Sequence, residues 1–104
     1  MLEKPLNDVF LEGAIDDLTE AERYYTIEMG STLLFERALN QAIEDTKLFP
    51  EAAALTGVGV IRKRSLKRFP YYLIYVVQNQ ELLILAIAHH KRDPFYWIDR
   101  LEPQ

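Results

Sequence analysis

The chain has no cysteine, so neither a disulfide framework nor a thiolate metal site is open to it. It has two histidines among 104 residues, too few for a histidine cluster, and no metal or cofactor is expected. The longest charge-free run, Phe69 to Gln80, is too short to span a bilayer. The opening "MLEKPLNDVF" carries acid and no long apolar core, which argues against a signal peptide and makes a cytoplasmic protein the expectation. No phosphate-cradling GxxxxGK[ST] and no GxSxG elbow occurs. Glycine and proline are also scarce, at four and five, and no linker or repeat divides the chain. One domain over residues 1–104 is expected.

What is present is an ordinary globular composition, 49% hydrophobic and 27% charged. The net charge of −4 conceals an asymmetry. Residues 1–61 hold four basic and twelve acidic side chains, residues 62–104 eight basic and four acidic. A polyanion rewards a basic protein, so the overall acidity weighs against nucleic acid as a partner while a local basic patch remains.

Residues 5–11, "PLNDVFL", read as a short first strand. From Ala14 the spacing changes to Ala14, Leu18, Ala21 and Tyr25, one face of an amphipathic helix with acid in its first turns. Gly30 suits the stop of that helix and Ser31 the N-cap of a second. The second helix runs to about Leu48, with Phe35, Ala38, Ala42 and Ile43 facing inward and Pro50 beyond it. Three strands follow: "GVGVIRKRSL" from Gly57, "PYYLIYVV" from Pro70 to Val77, and "ELLILAIA" from Glu81 to Ala88. The expected fold is α+β in two layers, β-α-α-β-β-β, a helical hairpin on an antiparallel sheet whose other face is free.

Three stretches are candidates for chemistry. If the last strand persists, His89 extends the face of Leu83, Leu85 and Ile87, and His90 that of Leu82, Ile84 and Ala86, so the two cannot chelate one ion. His89 is either a strand-end residue or a general acid or base. The run "RKRSLKRF" places Arg62 and Arg64 on one face and Lys63 on the other, with Lys67 and Arg68 following. It reads equally as a charged strand edge that resists aggregation and as an anion-binding strip. In "RDPFYWIDR", Pro94 turns the chain, and Phe95, Tyr96 and Trp97 read as a clamp over the end of the core or, at Trp97, as a ligand contact. Arg100 lies one helical turn beyond Trp97. The residues alone lead to a small α+β domain with a basic, aromatic sheet end.

A set of residues in order goes further. It comprises Ala14, Asp17-Leu18, Ala21 and Tyr24-Tyr25; Phe35, Leu39 and Ala42; Phe49-Pro50; "RFPYYLIY" at 68–75; and "ILAIAHHKRDPFYWIDR" at 84–100. Across residues 9–101 the chain resembles the RelE/ParE superfamily, the toxins of bacterial type II toxin–antitoxin (plasmid stabilisation) systems. The resemblance implies the fold already read, and a cognate antitoxin as partner. It leaves two targets, because ParE-like members poison DNA gyrase and RelE-like members cut messenger RNA in the ribosome. RNase members typically carry an arginine where this chain has Tyr72, and "FPY" with "RDPxxW" is ParE-like, so gyrase inhibition without enzymatic chemistry is the first expectation. The alternative implies a catalytic set drawn from His89, His90, Arg64, Lys67, Arg92 and Tyr96. Partner or target contacts are expected among Arg62, Arg64, Lys67, Arg68, Tyr72, His90, Arg92, Trp97 and Arg100. An acidic antitoxin segment would then meet the basic strip and the free sheet face, and that same apolar face would favour a homo-oligomer.

Overall fold

The computed structural model describes residues 5–101. Residues 1–4, part of the segment on which the expectation about a signal peptide rests, and 102–104 lie outside the described residues. Strand β1 (Asn7–Phe10) leads into α1 (Glu12–Met29) and α2 (Leu33–Leu48). Then come β2 (Ala54–Leu55), β3 (Arg62–Ser65), β4 (Tyr71–Gln78), β5 (Glu81–His89) and a 3-10 turn (Ile98–Leu101). Among the described residues no helix is long and apolar enough to cross a membrane.

The α+β class and the helical hairpin agree with the reading of the sequence. The sheet, however, is mixed, not wholly antiparallel. Its order is β1-β5-β4-β3-β2, and β1 pairs parallel with β5, Asn7 opposite Glu81 and Phe10 opposite Ile84. Alternating hydrophobicity shows which face a strand buries but not the direction of its neighbour, which is why the pairing could not be read. The strand expected from Gly57 begins only at Arg62. Gly57 and Gly59 have φ of 97° and 51°, and Thr56 closes the intervening loop with Oγ1 donating to the Ile61 carbonyl at 2.9 Å. β2, unforeseen, is the two-residue edge strand before that loop. The β4–β5 turn is tighter than the three residues, Gln78 to Gln80, left between the two expected strands: Gln78 pairs with Glu81, and Asn79 and Gln80 take φ of 51° and 65°. Two consecutive left-handed residues are what a two-residue type I′ hairpin requires.

Gly30 ends α1 as expected, at φ 72° with its N–H donating to the Thr26 carbonyl. The N-cap of α2 is Thr32 and not Ser31. Thr32 Oγ1 donates to the Glu36 carboxylate at 2.8 Å, while Ser31 Oγ accepts from the Leu33 N–H at 3.1 Å. Both helices cover one face of the sheet. There Tyr25, Phe35, Phe69 and Tyr71 interlock, with ring centroids from 5.1 to 6.2 Å apart, at the tilts aromatic rings prefer.

The other face is not free. Trp97, 1% exposed, packs there with Ile61, Ile74, Val76, Leu85, Ala86 and Ala88. The expectation of an open apolar face is overturned because the chain after Pro94 folds back across the sheet. The pairing of β4 with β5 slips by one residue between Ile74, opposite Ala86, and Tyr75, opposite Ile84. Leu85 is the extra residue, and such a bulge inverts the inward parity of everything after it. Ile84 and Ile87 therefore share the helix side, with Leu85 and Ala86 both on the outer side.

Candidate functional site

β1 stops at Phe10, so among the described residues the outer edge of β5 beyond Ile84 has no neighbouring strand. Buried backbone donors and acceptors need partners, and here side chains supply them. Asp17, 6% exposed on the inner face of α1, accepts the Ile87 N–H at 3.1 Å through Oδ2. Arg100 donates from Nη1 to the Leu85 carbonyl at 2.8 Å. The two then join each other: Arg100 Nη1 reaches Asp17 Oδ2 at 2.7 Å and Nη2 reaches Oδ1 at 3.3 Å. The Tyr96 hydroxyl donates to the same Oδ2 at 2.9 Å, and Arg92 Nη1 lies 3.5 Å from Oδ1. Both guanidiniums stand over the Tyr96 ring, at 3.8 and 4.9 Å from its centre.

This network consumes its members. Burial, and then the charge of Asp17, push the Tyr96 hydroxyl well above the ordinary tyrosine range, which holds it protonated. Burial works against the Arg100 charge, but hydrogen bonding to Asp17 overcomes it and raises Arg100 above its usual value. Gly13 makes room for the pair, since a Cβ there would lie 2.5 Å from Arg100 Nε.

The basic run is tied down as well. Arg62 and Arg64 share a face, as expected, but it is the helix face. Arg64 donates to Thr46 Oγ1 at 2.8 Å and to the Phe49 carbonyl at 3.0 Å, and Arg62 to the Ala53 carbonyl at 2.7 Å. With Tyr75, whose hydroxyl donates to the Pro50 carbonyl at 2.6 Å, they fasten the chain as it leaves α2. Carbonyls at a helix C-terminus favour cations, so these two arginines serve as structural partners of the α2 exit. Lys67 and Arg68 are exposed in the turn before β4, Arg68 at φ 69°.

The histidines diverge across the sheet. His89 stands on the helix side with its ring 5.0 Å from Tyr71, and its Nδ1 accepts the Lys91 N–H at 3.1 Å. The bulge corrects its neighbourhood: His89 is on the side of Ile84, not of Leu85. His90 lies on the outer side, 4.2 Å from the Tyr72 ring. Lys63, from the strand on the other side of Tyr72, places Nζ 5.0 Å from that ring. A cavity of about 70 Å³ opens here, lined by Lys63, Tyr72, His90, Arg92, Phe95 and Trp97 among others. Of the residues named for catalysis, His89, His90 and Arg92 border this cavity, while Arg64 is behind the sheet and Tyr96 is bound to Asp17. Among the described residues no group of three acidic or histidine side chains could hold a metal ion.

Two participants were missed from the sequence. Asp17 lies three residues after Ala14 and four before Ala21, on the stripe that reads as buried, and an acid there is a signal for an internal cation partner. Lys63 was set aside as the odd face of a charged strand.

The chain matches the family model described as "ParE toxin of type II toxin-antitoxin system, parDE" over residues 9–94. Among solved structures it is similar to the "Chromosomal ParDE TA system from P. aeruginosa", with a TM-score of 0.68 and 18% identity. The alignment covers 81% of this chain and 95% of that one, a likeness of fold. No curated protein sequence matches.

Proposed function

This chain belongs to the ParE toxin family of type II toxin–antitoxin systems, and we propose from that premise that it inhibits DNA gyrase by binding, without chemistry of its own. One observation carries the preference for gyrase over ribosome-dependent RNA cleavage. Two of the groups that a nuclease would use are committed internally: Tyr96 to Asp17 and Arg64 to the end of α2. A phosphate clamp needs free cations around the scissile group, and a tyrosine held protonated by burial beside a carboxylate cannot serve as a base.

A cognate antitoxin neutralises the protein in this reading, and both act in the cytoplasm. The exposed apolar side chains Leu55, Val60 and Val77 near the β2 and β3 border offer a surface for its amphipathic segment. Any self-association uses exposed apolar groups such as Met29, Leu33 and Leu34 at the hairpin tip, since Trp97 covers the sheet face first expected to serve.

The test is a gyrase supercoiling assay beside a ribosome-programmed cleavage assay with the same purified protein. Loss of supercoiling with intact transcripts is the expected result. Transcript cleavage that disappears in His90→Ala, with supercoiling unaffected, would overturn the proposal in favour of a RelE-like nuclease.

A further inference from the structure

We propose that the cavity on the outer sheet face is a binding site for one carboxylate carried on a short apolar stem. The inference is independent of the gyrase reading. Trp97 is 1% exposed and lines the cavity, yet its Nε1–H has no hydrogen-bond acceptor among the described residues. Buried donors are almost always paired, so an unpaired one beside a cavity points to an acceptor from outside. The space of about 70 Å³ is well beyond the need of a single water and takes a side-chain-sized group.

The chemistry of the walls selects the ligand. Lys63 brings an ammonium that has no carboxylate within ion-pair distance among the described residues. Its Nζ rests over Tyr72 instead, with His90 on the neighbouring strand's side of that ring. Cation and indole N–H together suit an anion that accepts two hydrogen bonds. Thr56 and His89 also line it, and Ile74, Ala88, Pro94 and Phe95 give it an apolar part that suits a carbon stem behind the charge. A phosphate dianion fits less well. Arg92 leans towards Asp17 and the Tyr96 ring, and Asp93, at the cavity wall with Oδ1 accepting the Phe95 N–H at 3.0 Å, repels a second negative charge.

Trp97 is the single tryptophan, so its indole N–H gives one resonance in a 15N-labelled sample. Titration with phenylacetate is expected to move that resonance saturably. Phenylacetamide, equal in shape but neutral, is expected to bind about tenfold or more weakly, as is phenylacetate to Lys63→Met. A short peptide ending in a free phenylalanine carboxylate, beside its C-terminal amide, distinguishes a chain end from a free acid as the source. Saturation by either carboxylate supports the site, and the tighter one identifies the source. No saturable movement with either carboxylate, or an equal response to the amide in the unaltered protein, would overturn the proposal. So would saturation by inorganic phosphate at lower concentration than phenylacetate.

Discussion

Arg100 and Asp17, 83 residues apart in the chain, meet as a two-pronged ion pair at 2.7 and 3.3 Å on the unpaired stretch of β5. The pair does more than neutralise itself, because each partner also takes up one backbone group of the bulge, the Ile87 N–H and the Leu85 carbonyl.

Asp17→Ala therefore removes one acceptor and strands the Arg100 guanidinium, a tyrosine hydroxyl and a backbone N–H, while Arg92 turns to solvent. Removing one partner of a buried pair costs about 3–5 kcal/mol, and the partial exposure of Arg100 places the expected loss near the lower figure. Urea unfolding measures it as a fall in midpoint at unchanged slope. A change under about 1 kcal/mol would show that the network is dispensable.

Alanine for glycine inside a helix ordinarily stabilises by up to about 1 kcal/mol. Gly13→Ala is expected to do the opposite here, because the new methyl meets the Arg100 side chain. In an Arg100→Ala background the same change is expected to turn neutral or favourable. Additive effects across that double-mutant cycle would remove the steric account.

Arg62→Glu and Arg64→Glu are expected to destabilise the fold, Arg64→Glu by about 1–3 kcal/mol, because each strands carbonyls near the end of α2. If instead both variants keep their unfolding midpoints and lose salt-dependent antitoxin affinity, the strip is a partner surface after all.

Burial, and after it the neighbouring Tyr25, push the Tyr71 hydroxyl up to about 12. Tyrosine in an unfolded chain titrates near 10. A raised folded value means that the stabilisation is complete below about pH 10 and is lost as pH rises through about 12. Unfolding free energy is expected to fall steadily across that window, and Tyr71→Phe to flatten the fall. A curve unaltered in the variant would place the alkaline sensitivity elsewhere.

Much of this architecture can be read from the residues. The 3.6-residue spacing from Ala14 to Tyr25 and the glycine at position 30 define α1, and two largely apolar β-rich runs define β4 and β5. The bulge at Leu85 cannot be read that way, since an extra residue in a wholly apolar strand leaves no break in the pattern. Its consequence for His89 is equally hidden. The internal partners of Arg62, Arg64, Tyr96 and Arg100 are hidden for a related reason: charge along the chain does not reveal which carbonyls and carboxylates the fold brings to meet it.

The border of β5 past Ile84 is completed only after α1 and the segment around Arg100 have both docked. A chain caught with its hairpin formed and that segment still loose carries an unblocked template for strand addition by a second copy. Refolding yield is expected to drop as protein concentration rises, and to recover at high dilution.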